Sequence, residues 1–507
     1  MNAIRNRGLV GLSALALVLL QRSPAAATDY SISIVADDVS LYGNCTLREA
    51  LEAVRTSSSV DACPAGSPGG PDSIALAAGS YLLPLGPLVA TSCGQLTLRG
   101  PAASPPTAVL SGGTTHRLID VQGACDLTLE DVELRDGRDL GAALPIGAAV
   151  RAIESSLTVR RARFFANIAR RGGAIGWAAS GLQRRLIVES SVFEQNRAQR
   201  PDAADVCQGG ALWTNAGSGA EVRLSDTLFL DNHAEATLPS DSARAGAADL
   251  GAEGSGSTVI VERTRFSGNS ATSSGAGGFA VAGGLYGVFQ GATVRVEDVE
   301  VHDNTSSAAI VTGGSGLSML LLGSTQGAID RLSVVDNTAG AMIPQARLSV
   351  QSSAFAILRD SLFARGESGL QVSSFSDGSV VFSQLTVAGH PGTGLQLDET
   401  GTGSISLVNS IVYGNGTDVS TSGSPAIFPE NLIGIDPLFT DAASGDYRLA
   451  AGSPALDAGD AGFSAIGPYD LAHGARLVGD ETDLGAYERG ALFNDGFEIE
   501  STANWSW

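Results

Sequence analysis

Apolar residues along this chain fall every second position within short segments, and the segments themselves recur. Four of them read "VESSVFEQNRA", "LSDTLFLDNHA", "VERTRFSGNSA" and "VEDVEVHDNTS". With the Phe of "VFEQN" as position zero, the equivalent residues are Leu134, Phe164, Phe193, Phe229, Phe266, Val301, Val334, Phe363, Val387 and Val412, all apolar. Five residues earlier every position is apolar again, and seven residues earlier only Gly327 breaks the rule. Spacing by two is the strand period, with one face buried and one wet. Three residues after position zero stand Asn167, Asn196, Asn232, Asn269, Asn304, Asn337 and Asn415, with Gly137, Gly366 and His390 in the remaining coils. The steps between these positions run from 24 to 37 residues. A constant phrase with a variable remainder predicts a solenoid whose loops differ on one side.

Strand periodicity and heavy glycine content exclude helical repeats, and the spacing is not that of leucine-rich repeats. The predicted fold is all-β: a single-stranded right-handed parallel β-helix of about 11–12 coils, with equivalent positions stacked about 4.8 Å apart. The position-zero residues form a stacked core. The Asn residues form a structural turn ladder, each amide donating to the next and the Asn itself taking the unusual backbone angles. The phrases "GGAIGW" (172–177), "GGALW" (209–213) and "GGFAVAGGLY" (277–286) suit tight turns into the next strand.

Composition narrows the function. The chain has 507 residues, a formal net charge of −22 and 64 glycines, and its 31 basic residues are all Arg. Arg5, Arg7, the apolar run 9–20 and Ala25 to Ala27 form a secretory-signal pattern over residues 1–27, shorter than the roughly 20 apolar residues of a membrane anchor. Its removal takes away Arg5, Arg7 and Arg22. No later segment is long and apolar enough to span a bilayer, and so acidic a surface repels nucleic acid and anionic lipid. Export permits disulfides among the five cysteines. Cys45 and Cys63 lie close enough to close a short loop, Cys93 and Cys125 precede similar strands that neighbouring coils bring together, and Cys207 is left over.

Three stretches carry family resemblances. F-x-x-N with G-G-A-[ILV], clearest from Phe164 to Asn304, resembles the repeats of polymorphic outer-membrane proteins, without their C-terminal barrel strands. "CTLREALEAVRT" (45–56) resembles the CSLREA motif near the start of exported, repeat-rich bacterial proteins. Thr46 and Glu49 give it a capping box, and Leu47, Leu51 and Val54 recur at helical spacing, so a short helix caps the first coil. "DPLF", "GDYRL", "SPALDAG" and "DLGAYE" appear in order over 431–488 and resemble the choice-of-anchor Q domain. The whole pattern resembles that of the pectin lyase-like superfamily. The implied organisation is a signal peptide (1–27), an N-terminal cap and first coil (28–94), the β-helix (95–430), the anchor-like region (431–488) and a tail (489–507).

That superfamily hosts polysaccharide-cleaving enzymes, so catalytic groups were sought. Glycoside hydrolysis needs two carboxylates facing one sugar, about 5–10 Å apart. Asp131, Asp226, Asp298 and Asp360 share a column three residues before position zero, but Arg161, Ser190, Arg263, Gln384 and Asn409 occupy it too. The column reads as a solvated edge or bend. Without lysine, a lyase base falls to Arg, which resists deprotonation. His116, His233, His302, His390 and His473 form no zinc or nucleophile pattern, and His233 and His302 read as surface turn residues. No catalytic residue, metal site or cofactor is expected; the acidic turn "DAASGD" (441–446) leaves calcium as the one ion to consider. The sequence therefore points to a secreted or cell-surface, non-enzymatic protein, adhesin-like or carbohydrate-contacting, with an extracellular glycan or cell-surface ligand as partner. The alternative is a polysaccharide lyase or hydrolase, which requires a groove with two close carboxylates, or a carboxylate and Arg, beside aromatic platforms.

Overall fold

In a computed structural model the described residues are 27–490, apart from 41, 142–144, 182, 201–205, 340–342 and 464. The signal-like segment and the tail after Gly490 lie outside them. The chain winds as a right-handed parallel β-helix, the hand that right-twisted strands favour. Every pairing between described strands is parallel except Phe439–Asp441 with Asp446–Leu449.

One coil shows why the sequence makes these turns. Arg185–Glu189 runs along the largest sheet. Ser190 (φ 48°) bends it into Val192–Glu194, and Gln195 (φ 55°) turns the chain at Asn196. Arg197–Arg200 then joins a six-stranded sheet and Val206–Gln208 a four-stranded one. Gly209 (φ 61°) makes the next corner, and Leu212–Ala216 enters a twelve-stranded sheet. Gly210 must lack a side chain because a Cβ would lie 1.9 Å from the carbonyl oxygen of Gly246 in the following coil. Beyond Asn304 the step between repeat positions falls from as many as 37 residues to as few as 24. Among the described residues the six- and four-stranded sheets end there, at Thr305–Ser307 and Ile310–Val311.

All ten position-zero residues pair in register, from Leu134 with Phe164 to Val387 with Val412, and all are fully buried. Phe164, Phe193, Phe229 and Phe266 stack with ring centroids 4.6, 4.7 and 4.8 Å apart, the strand spacing itself. At Gly327, the exception in the apolar column, the Leu321 side chain fills the space. At the start, Leu47–Thr56 is an α-helix. Thr46 and Glu49 complete its capping box, and its apolar face joins the core. Cys45 bonds to Cys63 and Cys93 to Cys125, with Cα atoms 4.9 and 4.8 Å apart. Cys207 is a buried free thiol, pushed up to about 12 by burial.

The last coil includes Leu432–Ile433, paired with Ile411 and Val412, so the solenoid runs slightly past 430. The chain then folds back along the flank of preceding coils. Gly485 N–H donates to the Asn409 carbonyl at 2.9 Å and Ala486 N–H to Thr386 Oγ1 at 2.9 Å. Leu471, Tyr447 and Tyr487 pack with Leu362, Ala364 and Ala388. Thr417–Ser422, the last strand of the twelve-stranded sheet, keeps a largely exposed face.

Candidate functional site

The Asn column is a continuous buried ladder. Nδ2 of Asn167, Asn196, Asn232, Asn269 and Asn304 donates to Oδ1 of the next Asn at 2.9–3.0 Å. Each Nδ2 also donates to the position-zero carbonyl of the preceding coil, such as Leu134 O or Phe164 O. The backbone assignment needs correcting: the left-handed residue is the one before the Asn, as at Gln195, Asp231 and Asp303. The Asn side chain must point inward to reach two coils, and an ordinary backbone there puts it on the ladder. Where Gly366 interrupts the column, Gln345 from the twelve-stranded sheet takes over, donating to Ala364 O at 3.1 Å. His390 follows, its ring nitrogens 3.1 Å from Gly366 O and Phe363 O, and burial lowers its pKa. Asn415 Nδ2 reaches Val387 O at 3.1 Å. With every amide consumed inside the wall, the ladder offers nothing to a ligand.

The acidic column is the left-handed bend itself, from Asp131 (φ 54°) to Asn409 (φ 53°). Its charges pair along the column: Arg161 with Asp131, Arg263 with Asp226 and Arg331 with Asp298. Not all of it is solvated, because Asp131, Arg331, Asp360, Gln384 and Asn409 are buried. His233 Nδ1 lies 2.8 Å from Ser270 Oγ and His302 Nδ1 2.8 Å from Asp303, so both are partnered within the wall. Asp441 caps Ser444 N–H at 3.2 Å and Asp446 pairs with Arg448 at 2.7 Å, so the acidic turn spends its carboxylates on itself. Among the described residues no group of three or more metal-ligating side chains converges.

Chemistry gathers instead on the outer face of the twelve-stranded sheet. Trp213, Asp249, Tyr286, Ser318, Arg347, Gln371 and Gln396 succeed one another in register on seven coils. Parity puts Trp213 there. "GGALW" has one residue fewer between its glycines and Trp than "GGAIGW", so Trp213 pairs with Gly176 while Trp177 pairs with Thr214 and turns inward. Trp177 is fully buried, its Nε1 donating to Ser155 O at 2.9 Å; a one-residue offset exchanges faces. Asp249 is buried 2.7 Å from Arg244 Nε. The Arg244 guanidinium sits 4.5 Å from the Tyr286 ring centre, and that of Arg171 5.7 Å from Trp213. Burial raises the Asp249 pKa against the pull of Arg244. Burial works against the Arg244 charge, yet Asp249 and Tyr286 outweigh it and hold that pKa above its ordinary value. Burial, then Arg244, lowers that of Arg171. Farther along, Gln371 and Gln396 flank an uncharged cleft of about 320 Å³.

Trp213 and Tyr286 close two of the glycine phrases visible in the sequence; strand parity was the signal that could have set them apart from Trp177. Among the described residues no helix is long and apolar enough to cross a membrane.

No family model and no curated protein matches the chain. Solved structures do resemble it in architecture. The periplasmic alginate epimerase AlgG shares 11% identity at a TM-score of 0.39, over 73% of this chain and 78% of that one. Pectate lyase Pel9A shares 12% at 0.32, over 92% and 98%. The catalytic unit of a thermostable GH87 α-1,3-glucanase from Streptomyces thermodiastaticus shares 12% at 0.28, over 80% and 69%.

Proposed function

We propose that this is an exported, surface or extracellular β-helix protein of adhesin-like, non-enzymatic role, which contacts carbohydrate along the outer face of its twelve-stranded sheet. The observation that carries the reading is Trp213 and Tyr286 standing either side of the Asp249–Arg244 pair. Aromatic faces cover the apolar side of a sugar ring, and the Arg244 guanidinium, held in place by the buried Asp249, offers hydroxyls a donor. Coils about 4.8 Å apart set these groups in a row suited to an extended chain. Two disulfides suit an oxidising compartment and support export.

The same residues make enzymatic cleavage the second reading, since a carboxylate and an Arg beside aromatics is what it requires. The charge states favour binding. Arg244 is held protonated and so is no base, and between Trp213 and Arg347 the column offers one carboxylate, where glycoside hydrolysis needs two.

A glycan array with the full chain tests the proposal, alongside Trp213→Ala and Tyr286→Ala. Retention of at least one glycan class, weakened tenfold or more by each variant, is expected. No retained glycan, or unchanged retention by both variants, refutes it. Release of reducing ends or unsaturated products from retained polysaccharides would install the enzymatic reading, and absence of the protein from surface and extracellular fractions would remove the location.

A further inference from the structure

The downstream end of this face is chemically unlike the aromatic end. Pro344 and Ser368 begin two neighbouring strands and pair in register, as do Thr393 and Thr417 two coils on. With Gln371 and Gln396 they line the 320 Å³ cleft, at the lower end of the roughly 300–1,000 Å³ usual for ligand clefts. Gln371 and Gln396 are register partners. Both donate to one oxygen of Asp398, Gln371 Nε2 at 3.0 Å and Gln396 Nε2 at 2.9 Å. One carboxylate thereby fixes two amides side by side. Each amide keeps a second N–H, and among the described residues neither Oε1 accepts a hydrogen bond.

We infer that this cleft binds a neutral sugar unit, held by the paired amides of Gln371 and Gln396. The inference rests on the carbohydrate reading above and adds the ligand's charge class. A sugar hydroxyl donates and accepts at once, which is what an amide edge with a free N–H and a free oxygen matches. Amides already held by Asp398 lose little freedom on binding. The lining carries no charge, and Arg347, one coil before Gln371, does not line it. A carboxylate placed there would lose its hydration without a cation in the lining to replace it, and the chain's net charge of −22 opposes its approach. Tyr286, the nearer of the two aromatics, lies three coil steps before Gln371, about 14 Å at the strand spacing, so the cleft receives a different unit from the one at the aromatic pair.

The test is calorimetric titration of the full chain with cello-, manno- and galacto-oligosaccharides and with oligogalacturonate. Gln371→Ala, Gln396→Ala and Trp213→Ala are compared with the parent, and thermal midpoints check folding. Binding of a neutral oligosaccharide, weakened tenfold or more in both Gln variants at unchanged midpoints, is expected. Neutral binding that both Gln variants leave intact overturns the inference. Binding of oligogalacturonate alone, lost in Trp213→Ala, overturns it while the carbohydrate reading survives. Binding of none of the probes removes both. If a Gln variant fails to fold, competition by the methyl glycoside of the bound neutral sugar, read as line broadening of the Gln371 and Gln396 side-chain amides, decides the matter; unperturbed amides refute the cleft.

Discussion

Asn232 Nδ2 donates to Asn269 Oδ1 at 2.9 Å across one coil, and both side chains are wholly buried. The same Nδ2 donates to Phe193 O at 2.9 Å, while Asn232 Oδ1 accepts from Asn196 N and Nδ2, both at 3.0 Å. Each amide thus uses its full complement of two donors and two acceptors. The phrase repeated most faithfully in the sequence is consumed by holding coils together.

Asn232→Leu strips the Phe193 carbonyl of its side-chain donor, leaves Asn269 Oδ1 only the backbone N–H of residue 232, and strands two Asn196 N–H donors in the interior. A loss of about 3 kcal/mol or more is expected, because each buried orphan costs about 1–3 kcal/mol. The urea midpoint measures it; a shift equivalent to less than about 0.5 kcal/mol, the range of surface substitutions, would contradict the ladder's role.

Phe229 lies between two stacked rings and has no access to solvent. Phe229→Ala should cost about 3–5 kcal/mol by opening a cavity. Phe229→Val should cost less, since Val301 and Val334 fill the same column in later coils. Thermal unfolding of the two variants, if equal in midpoint, would disprove the ordering.

The returning C-terminal segment buries Arg476 against Asp360 at 3.5 Å and Glu488 at 3.8 Å, with Asp470 and Asp483 buried close by. Burial pushes Asp360 and Glu488 each up to about 7, from ordinary values of 3.8 and 4.5. The folded protein therefore keeps protons that the unfolded chain releases. This contribution to stability is complete below about pH 4 and lost as pH rises through about 7. Asp360→Asn should flatten that part of the profile and gain relative to the parent at pH 7. Unfolding midpoints from pH 4 to 8 check it; parallel profiles would rule out the linkage.

The disulfides close loops of 18 and 32 residues by sequence separation. Chain entropy assigns each about 3–4 kcal/mol. In a solenoid the effect stays near the crosslinked coils. Paired Cys93→Ser and Cys125→Ser changes should speed amide exchange in the first coils and leave it unchanged around Asn337. Uniform acceleration along the chain would argue against this.

Much of this architecture is readable from local pattern. Position zero stays apolar in every coil because its neighbours above and below are copies of itself, so Phe164 and Val412 obey one rule though they stand far apart. The outer face of the twelve-stranded sheet escaped that logic. Trp177 and Trp213 follow nearly identical phrases, and only the count of residues after the corner glycines separates an inward side chain from an outward one. The ladder's left-handed residue was misplaced by one for a similar reason: the Asn is constant because its side chain spans coils, while its neighbour does the bending and varies among Asp, Gln, Ala and Gly.

The coil, its register and the stacked Phe and Asn columns are legible in the amino-acid pattern, because they arise from contacts between equivalent positions one repeat apart; the cysteine pairing is not, since Cys45–Cys63 lies at the cap helix and joins no equivalent positions. Which residues meet outside the repeat follows from the folded chain. It placed Trp213, Arg244, Asp249 and Tyr286 together on one face, fixed Gln371 and Gln396 on one carboxylate, and folded 436–490 back so that Arg476 meets Asp360. Those contacts join positions of different kinds, and their spacing depends on loop lengths that the repeat leaves free.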